Sequence, residues 1–153
     1  MLTKLFKALR AVSLGIWLGA GVMTFIAAHY VFFGGFIDRN TAGDIMASIL
    51  HAGGLMKLGL AAIALGSQFG LGAVTGEKPR KIGVTALVIA TLSALVVALY
   101  VEPKLLELRA QFRNDPDLNN PAHQLFGKLH GGSMGLALLE MICVAAALIC
   151  AVI

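Results

Sequence analysis

Four apolar stretches separated by short polar breaks dominate the chain. Ala11 to Ile37 contains no Asp, Glu, Lys or Arg, and neither does Ile82 to Val101. Ile45 to Val74 contains one, Lys57, and Leu129 to Ile153 contains one, Glu140. About 20 mostly apolar residues suffice to cross a hydrocarbon core roughly 30 Å thick. None of the four shows the polar–apolar alternation of a membrane barrel strand. The pattern predicts an all-α, four-transmembrane-helix bundle. Residues 1–153 form a single integral membrane domain, with spans at about 11–37, 45–74, 82–101 and 129–153.

The breaks carry turn chemistry. Thr41 followed by Asp44 resembles a capping box opening the second helix. Thr75-Gly76 and Pro79 punctuate the turn between helices two and three. Asn114-Asp115-Pro116 and Asn119-Asn120-Pro121 interrupt the chain before helix four, with Pro121 suited to the first helical position after an Asn cap. Pro103 to Phe112 reads as an exposed helical extension of helix three.

Composition agrees with these spans. Of 153 residues, 58% are hydrophobic and 13% charged, against about 25% charged in a soluble domain. That excludes disorder and argues against a soluble globule. Two cysteines are too few for a disulfide framework. The charge distribution sets the orientation. Lys4, Lys7, Arg10, Glu77, Lys78, Arg80 and Lys81 give one side six cations and one anion. The other side, from Asp38 to Asp44 and from Glu102 to Lys128, holds five cations and six anions. Cationic residues near span ends stay cytoplasmic, so both termini are expected in the cytoplasm. The first apolar stretch exceeds the 7–15 residues of a signal peptide core. Its basic start suits an anchor on anionic lipid rather than a nucleic-acid patch.

Small residues allow close helix approach in lipid. Gly15 and Gly19, Gly66 and Gly70, and Gly131 and Gly135 have the four-residue spacing, and are expected to pack the bundle internally rather than form a dimer face. Tyr30, Phe32, Phe33, Phe36, Tyr100 and Phe126 gather near the outer boundary as an aromatic belt, leaving Trp17 and Phe69 toward the inner one.

Charges inside spans are costly and usually paired. Lys57 lies roughly 18 Å into helix two and Glu140 roughly 16 Å into helix four, at 1.5 Å per residue. Those helices run in the same direction, so the two charges share a depth and are expected to pair. The pair either fixes helix register or serves a proton or ion relay. His29, His51, His123 and His130 all fall in the outer half. Histidine nitrogens ligate copper, zinc and haem iron, and bundles build such sites from facing helices. His130, His51 and His29 are the candidate cofactor residues, with Met134 one turn below His130, Met141 further along that face, and Met46 near His51. The alternative is interfacial histidines bonded to carbonyls and methionines serving as core. Cys143 and Cys150 read as reduced packing residues. No nucleophile elbow, phosphate-binding glycine loop or paired carboxylate supports soluble enzyme chemistry, and no catalytic residue is assigned.

Several blocks resemble a known family. They are Ser13-Leu14-Gly15-Ile16-Trp17-Leu18-Gly19, Tyr100-x-x-Pro103 running to Leu108-Arg109, and Phe126-Gly127-Lys128-Leu129-His130-Gly131-Gly132-Ser133 leading to Glu140. In their order they resemble four-span proteins similar to transmembrane protein 205, largely a bacterial domain of unknown function. The resemblance implies fold and location and assigns no activity. Helix one more remotely resembles copper-resistance proteins and haem-binding four-helix proteins. Those usually have a histidine near the position of Ser13, so neither cofactor carries over.

The expected protein is a multi-pass inner (plasma) membrane bundle embedded in the lipid bilayer. It is expected to be non-enzymatic, acting as an accessory subunit or handling a small solute or metal such as copper or zinc. The alternative is a redox protein holding haem b through its outer histidines; a third is a membrane enzyme using Glu140 as a proton acceptor. A homo-oligomer or larger membrane complex fits such a chain, and nucleic acid does not.

Overall fold

The computed structural model describes every residue except Phe36, Glu77, Asn114, Asp115, Pro116 and Leu118. Among the described residues all regular structure is helical: α1 (Leu2–Phe33), α2 (Arg39–Thr75), α3 (Lys81–Val96), α4 (Glu102–Phe112) and α5 (Pro121–Val152). A π-helical segment, Val97–Val101, joins α3 to α4, so that Lys81–Phe112 is one continuous rod. Four helices are long and apolar enough to cross a membrane. At 1.5 Å per residue each exceeds a 30 Å core, so all four project into the aqueous boundary. Both termini and the α2–α3 turn share one end, the terminal end, where Arg10 reaches Gln68 and Ala151. The α1–α2 turn, α4 and the start of α5 form the far end.

The helices pair as α1 with α2 and α3 with α5, and α1 also meets α5. Their shared core is built on small side chains. Ala61 and Ala64 of α2, Ala86, Ala90 and Ala94 of α3, and Cys143 and Ala147 of α5 are buried around Leu14, Trp17, Leu87 and Val144. Ala86, Ala90 and Ala94 recur every fourth residue, the spacing that brings helices close in lipid.

The glycines expected to do this do not. A Cβ on Gly15, Gly19, Gly66, Gly131 or Gly135 would meet nothing within 4 Å, and all five residues are exposed on the outside of the bundle. Only Gly70 of the six faces a neighbour, the Phe6 ring. Close approach is made instead at Gly21 against Met141, Gly43 against Arg109, and Gly83 against Cys150. Four-residue spacing marks a face without saying which way it points, and here alanine took the inner faces.

The helix ends differ from the sequence pattern in detail. α2 opens at Asp38, whose carboxylate accepts from the Asn40 and Thr41 amides at 2.9 and 3.0 Å and from the Thr41 hydroxyl. Thr41 is therefore not the cap. Asp44, expected to complete a capping box with it, pairs with Arg109 at 3.1 Å and Arg113 at 2.6 Å. These pairs pin α4 onto the start of α2. Asn120 caps α5 through the Ala122 amide, with Pro121 at the first helical position. Gly76 ends α2 at φ +69°, the left-handed conformation a glycine accepts without strain. The expected break at Asn114-Asp115-Pro116 and the belt residue Phe36 lie outside the described residues. Tyr30, Phe32, Phe33 and Tyr100 are exposed as an aromatic belt requires.

Two predictions follow from this packing. Gly83→Ala places a methyl 2.9 Å from the Cys150 Cβ, and should lower thermal stability in detergent by about 1–3 kcal/mol. Gly131→Ala, with open space, should match or exceed the parent by up to about 1 kcal/mol. Donation from the Thr41 hydroxyl, then from the Thr41 and Asn40 amides, holds the Asp38 carboxyl below its ordinary range. A depressed folded-state pKa contributes stability above the unfolded value and loses it as pH falls through the folded one. The Asn40 and Thr41 amide resonances should therefore lose their capped chemical shifts only below the usual carboxylate range, and not at all in Asp38→Ala, where they start uncapped.

Candidate functional site

Trp17, Lys57 and Glu140 lie about midway along α1, α2 and α5. Glu140 Oε1 is 2.8 Å from Lys57 Nζ and accepts a hydrogen bond of 2.8 Å from Trp17 Nε1. Glu140 is 2% exposed, Trp17 1%, and the Lys57 side chain 17%. One carboxylate oxygen thus ties three helices together. Helical periodicity places Ser13, Leu14, Trp17 and Gly21 on the buried stripe of α1, which aims the indole inward. Trp17 is accordingly not an interfacial anchor toward the inner boundary; its N–H is spent on the carboxylate. The signal that could have found it is the chain's single tryptophan, within the span 11–37 free of Asp, Glu, Lys and Arg, where a buried indole N–H needs an acceptor.

A second carboxylate is buried where the span-three rod changes character. Pro103 has no N–H to donate, and its ring crowds the carbonyl four residues back. The preceding turn widens to π geometry, with the Glu102 amide bonding the Val97 carbonyl five residues earlier. Glu102 is buried there, with Oε1 3.5 Å from His51 Nδ1 and in no hydrogen bond. Gly54 packs beside it: a Cβ there would be in ordinary contact, 3.5 Å from Glu102 Oε2. The sequence pattern treats Glu102 as a boundary charge, because position along the chain does not reveal that α2 covers it.

The histidines share the far half of the bundle but have separate neighbours. His29 packs edge-on to Tyr30 and tilted on Phe33 of its own helix. His51 faces Glu102. His123 stacks on Phe112 at 4.6 Å, and His130 stacks on Phe126 at 5.8 Å. His29, His51 and His130 are exposed at the bundle surface. Met134 is also exposed, Met46 is buried, and Met141 lies against Gly21. Among the described residues, no three His, Cys, Asp or Glu side chains stand close enough to hold a metal ion. His130 and Met134 of α5, His51 of α2 and His29 of α1, the residues expected at a metal or haem, therefore belong to no such three-residue group. Phe112, His123, Phe126 and His130 instead make an aromatic ladder that fastens α4 to α5.

The fold and this centre define a four-span helical membrane protein with a buried lysine–glutamate–tryptophan junction. Residues 12–114 match the model of a family described as a domain of unknown function (DUF4149), and the chain belongs to that family. The match starts within α1, runs through α4 and ends before Glu140. No curated protein and no solved structure matches the chain.

Removing one member of a buried ion pair strands the other, at a cost of about 3–5 kcal/mol. Lys57→Met leaves the carboxylate with the indole alone and should cost that much. Trp17→Phe deletes one hydrogen bond to a charged group and should cost about 1.5–3 kcal/mol. Unfolding midpoints of the detergent-solubilised variants give the order.

Proposed function

We propose that this is a non-enzymatic accessory protein of the inner membrane, with both termini cytoplasmic, whose mid-membrane junction fixes the register of a pre-assembled bundle. One observation carries the reading: Glu140 Oε1 serves Lys57 and Trp17 at once, so α1, α2 and α5 meet at a single atom. A relay needs a succession of exchangeable groups leading to and from the charge. Here the carboxylate is enclosed by its own partners. The recess between Arg10 and Arg80 and the apolar groove from Lys81 to Cys143 both lack Trp17, Lys57 and Glu140 in their walls. At the far end, α4 stands beyond the hydrocarbon, held by Asp44, Arg109 and Arg113. It offers a fixed polar helix of the kind an accessory subunit presents to a membrane complex. The cytoplasmic placement of the terminal end rests on its excess of Lys and Arg in short segments.

The test replaces the whole junction. Trp17→Phe/Lys57→Met/Glu140→Leu exchanges every polar partner for an apolar group of similar size, a change that is often neutral or stabilising. The triple variant should fold, unfold within a few degrees of the parent, and leave proton flux in reconstituted liposomes at the level of protein-free vesicles, as the parent does. A parent that dissipates an imposed pH gradient, with that flux abolished in a stably folded triple variant, would replace the register reading with a proton relay.

A further inference from the structure

At the terminal end, Arg10 crosses from α1 to the ends of two other helices. Its guanidinium donates to Gln68 Oε1 at 2.5 Å and to the Ala151 carbonyl at 3.0 Å. The third donor, Nε, is buried and has no acceptor. A guanidinium carries five N–H donors in a rigid fork, and leaving one buried and unbonded is costly. Arg80 lines the same recess, together with Gly83 and Cys150. Arg80 is also the residue from which α3 starts, and no side chain caps that helix. The recess is therefore lined by two arginines and by Gly83, in the first turn of a 16-residue helix. Among the described residues no Asp or Glu contributes to its walls. Open helix amides and arginine forks together favour an oxyanion. The space admits one water-sized oxygen, so a larger anion would insert a single oxygen and keep its body at the mouth.

We propose that this recess binds a phosphate group. Arg10 and Arg80 would supply the charge, and the first turn of α3 at Gly83 a further donor. The recess lies where α1 leaves its apolar run, α3 begins and α5 ends. In a spanning bundle that is the depth of lipid headgroups. A phosphatidylglycerol phosphate could enter from the side and a free phosphate from the water. The shared chemistry is the same.

Native mass spectrometry of the full chain in detergent separates the sources. Phosphatidylglycerol, phosphatidylcholine and inorganic phosphate are titrated in turn. One phosphatidylglycerol retained about tenfold more tightly than phosphatidylcholine assigns the site to a lipid. Saturable retention of inorganic phosphate assigns it to a soluble phosphate. Arg80→Gln, which removes no hydrogen bond to any described residue, should weaken whichever binds by about tenfold, the weight of one charge-assisted contact. Arg10→Lys keeps the charge but loses the fork, and should weaken binding likewise. Lys4→Gln/Lys7→Gln removes two neighbouring surface cations and should leave it within twofold. Binding of none of the three probes would overturn the proposal. So would an Arg80→Gln variant that binds like the parent, or a Lys4→Gln/Lys7→Gln variant that loses as much as Arg80→Gln.

Discussion

An ionised carboxylate in the interior of an apolar bundle must be neutralised locally, because neither lipid nor alanine can solvate it. Much of the arrangement of α1, α2 and α5 answers to that constraint at Glu140. Its oxygen draws Lys57 across from α2 and the Trp17 indole across from α1. The alanine-lined faces nearby let the backbones approach closely enough for these side chains to meet. Apolar packing alone gives little preference between one register and the next when lipid competes equally well for leucine and isoleucine. A charge that is satisfied at one register and stranded at the others supplies the preference.

The same logic recurs at the two ends, with water nearby to moderate it. At the far end Asp44 gathers Arg109 and Arg113, and Glu102 sits under α2 beside Gly54. At the terminal end Arg10 spans to Gln68 and the last turn of α5. Polar cross-links thus occur at three levels along the bundle, each joining helices distant in sequence. Between them the core is made of small side chains, which pack closely and specify little on their own.

The spans, their number and the depth of Lys57 and Glu140 were legible in the sequence, because hydropathy and the 1.5 Å rise per residue determine them. The facing of each helix was not. Gly15, Gly19, Gly131 and Gly135 have the spacing of a packing face, yet they lie outward, and Ala86, Ala90 and Ala94 took that role. In a soluble helix a polar stripe reveals which side is out. Through their spans α3 and α5 carry too few polar side chains to form a stripe, so their patterns hold no such record. For the same reason the histidines could be placed at one level but not around the bundle. Trp17 and Glu102 escaped notice because their partners lie far away in the chain. The cap at Asp38 was missed by three residues, since Thr41 and Asp44 imitate a capping box that the chain uses for other bonds.

The π turn before Glu102 adds one residue to the circuit of the span-three rod. An uninterrupted α-helix would carry every later side chain about 100° further around the axis. The extra residue therefore rephases everything beyond it: Leu108 points inward and Arg109 toward Asp44 only because the turn is wide. In this sense Pro103 acts as an angular offset between two halves of one helix. Both halves pack on α5, and the single widened turn also lets the half beyond it reach Asp44 of α2.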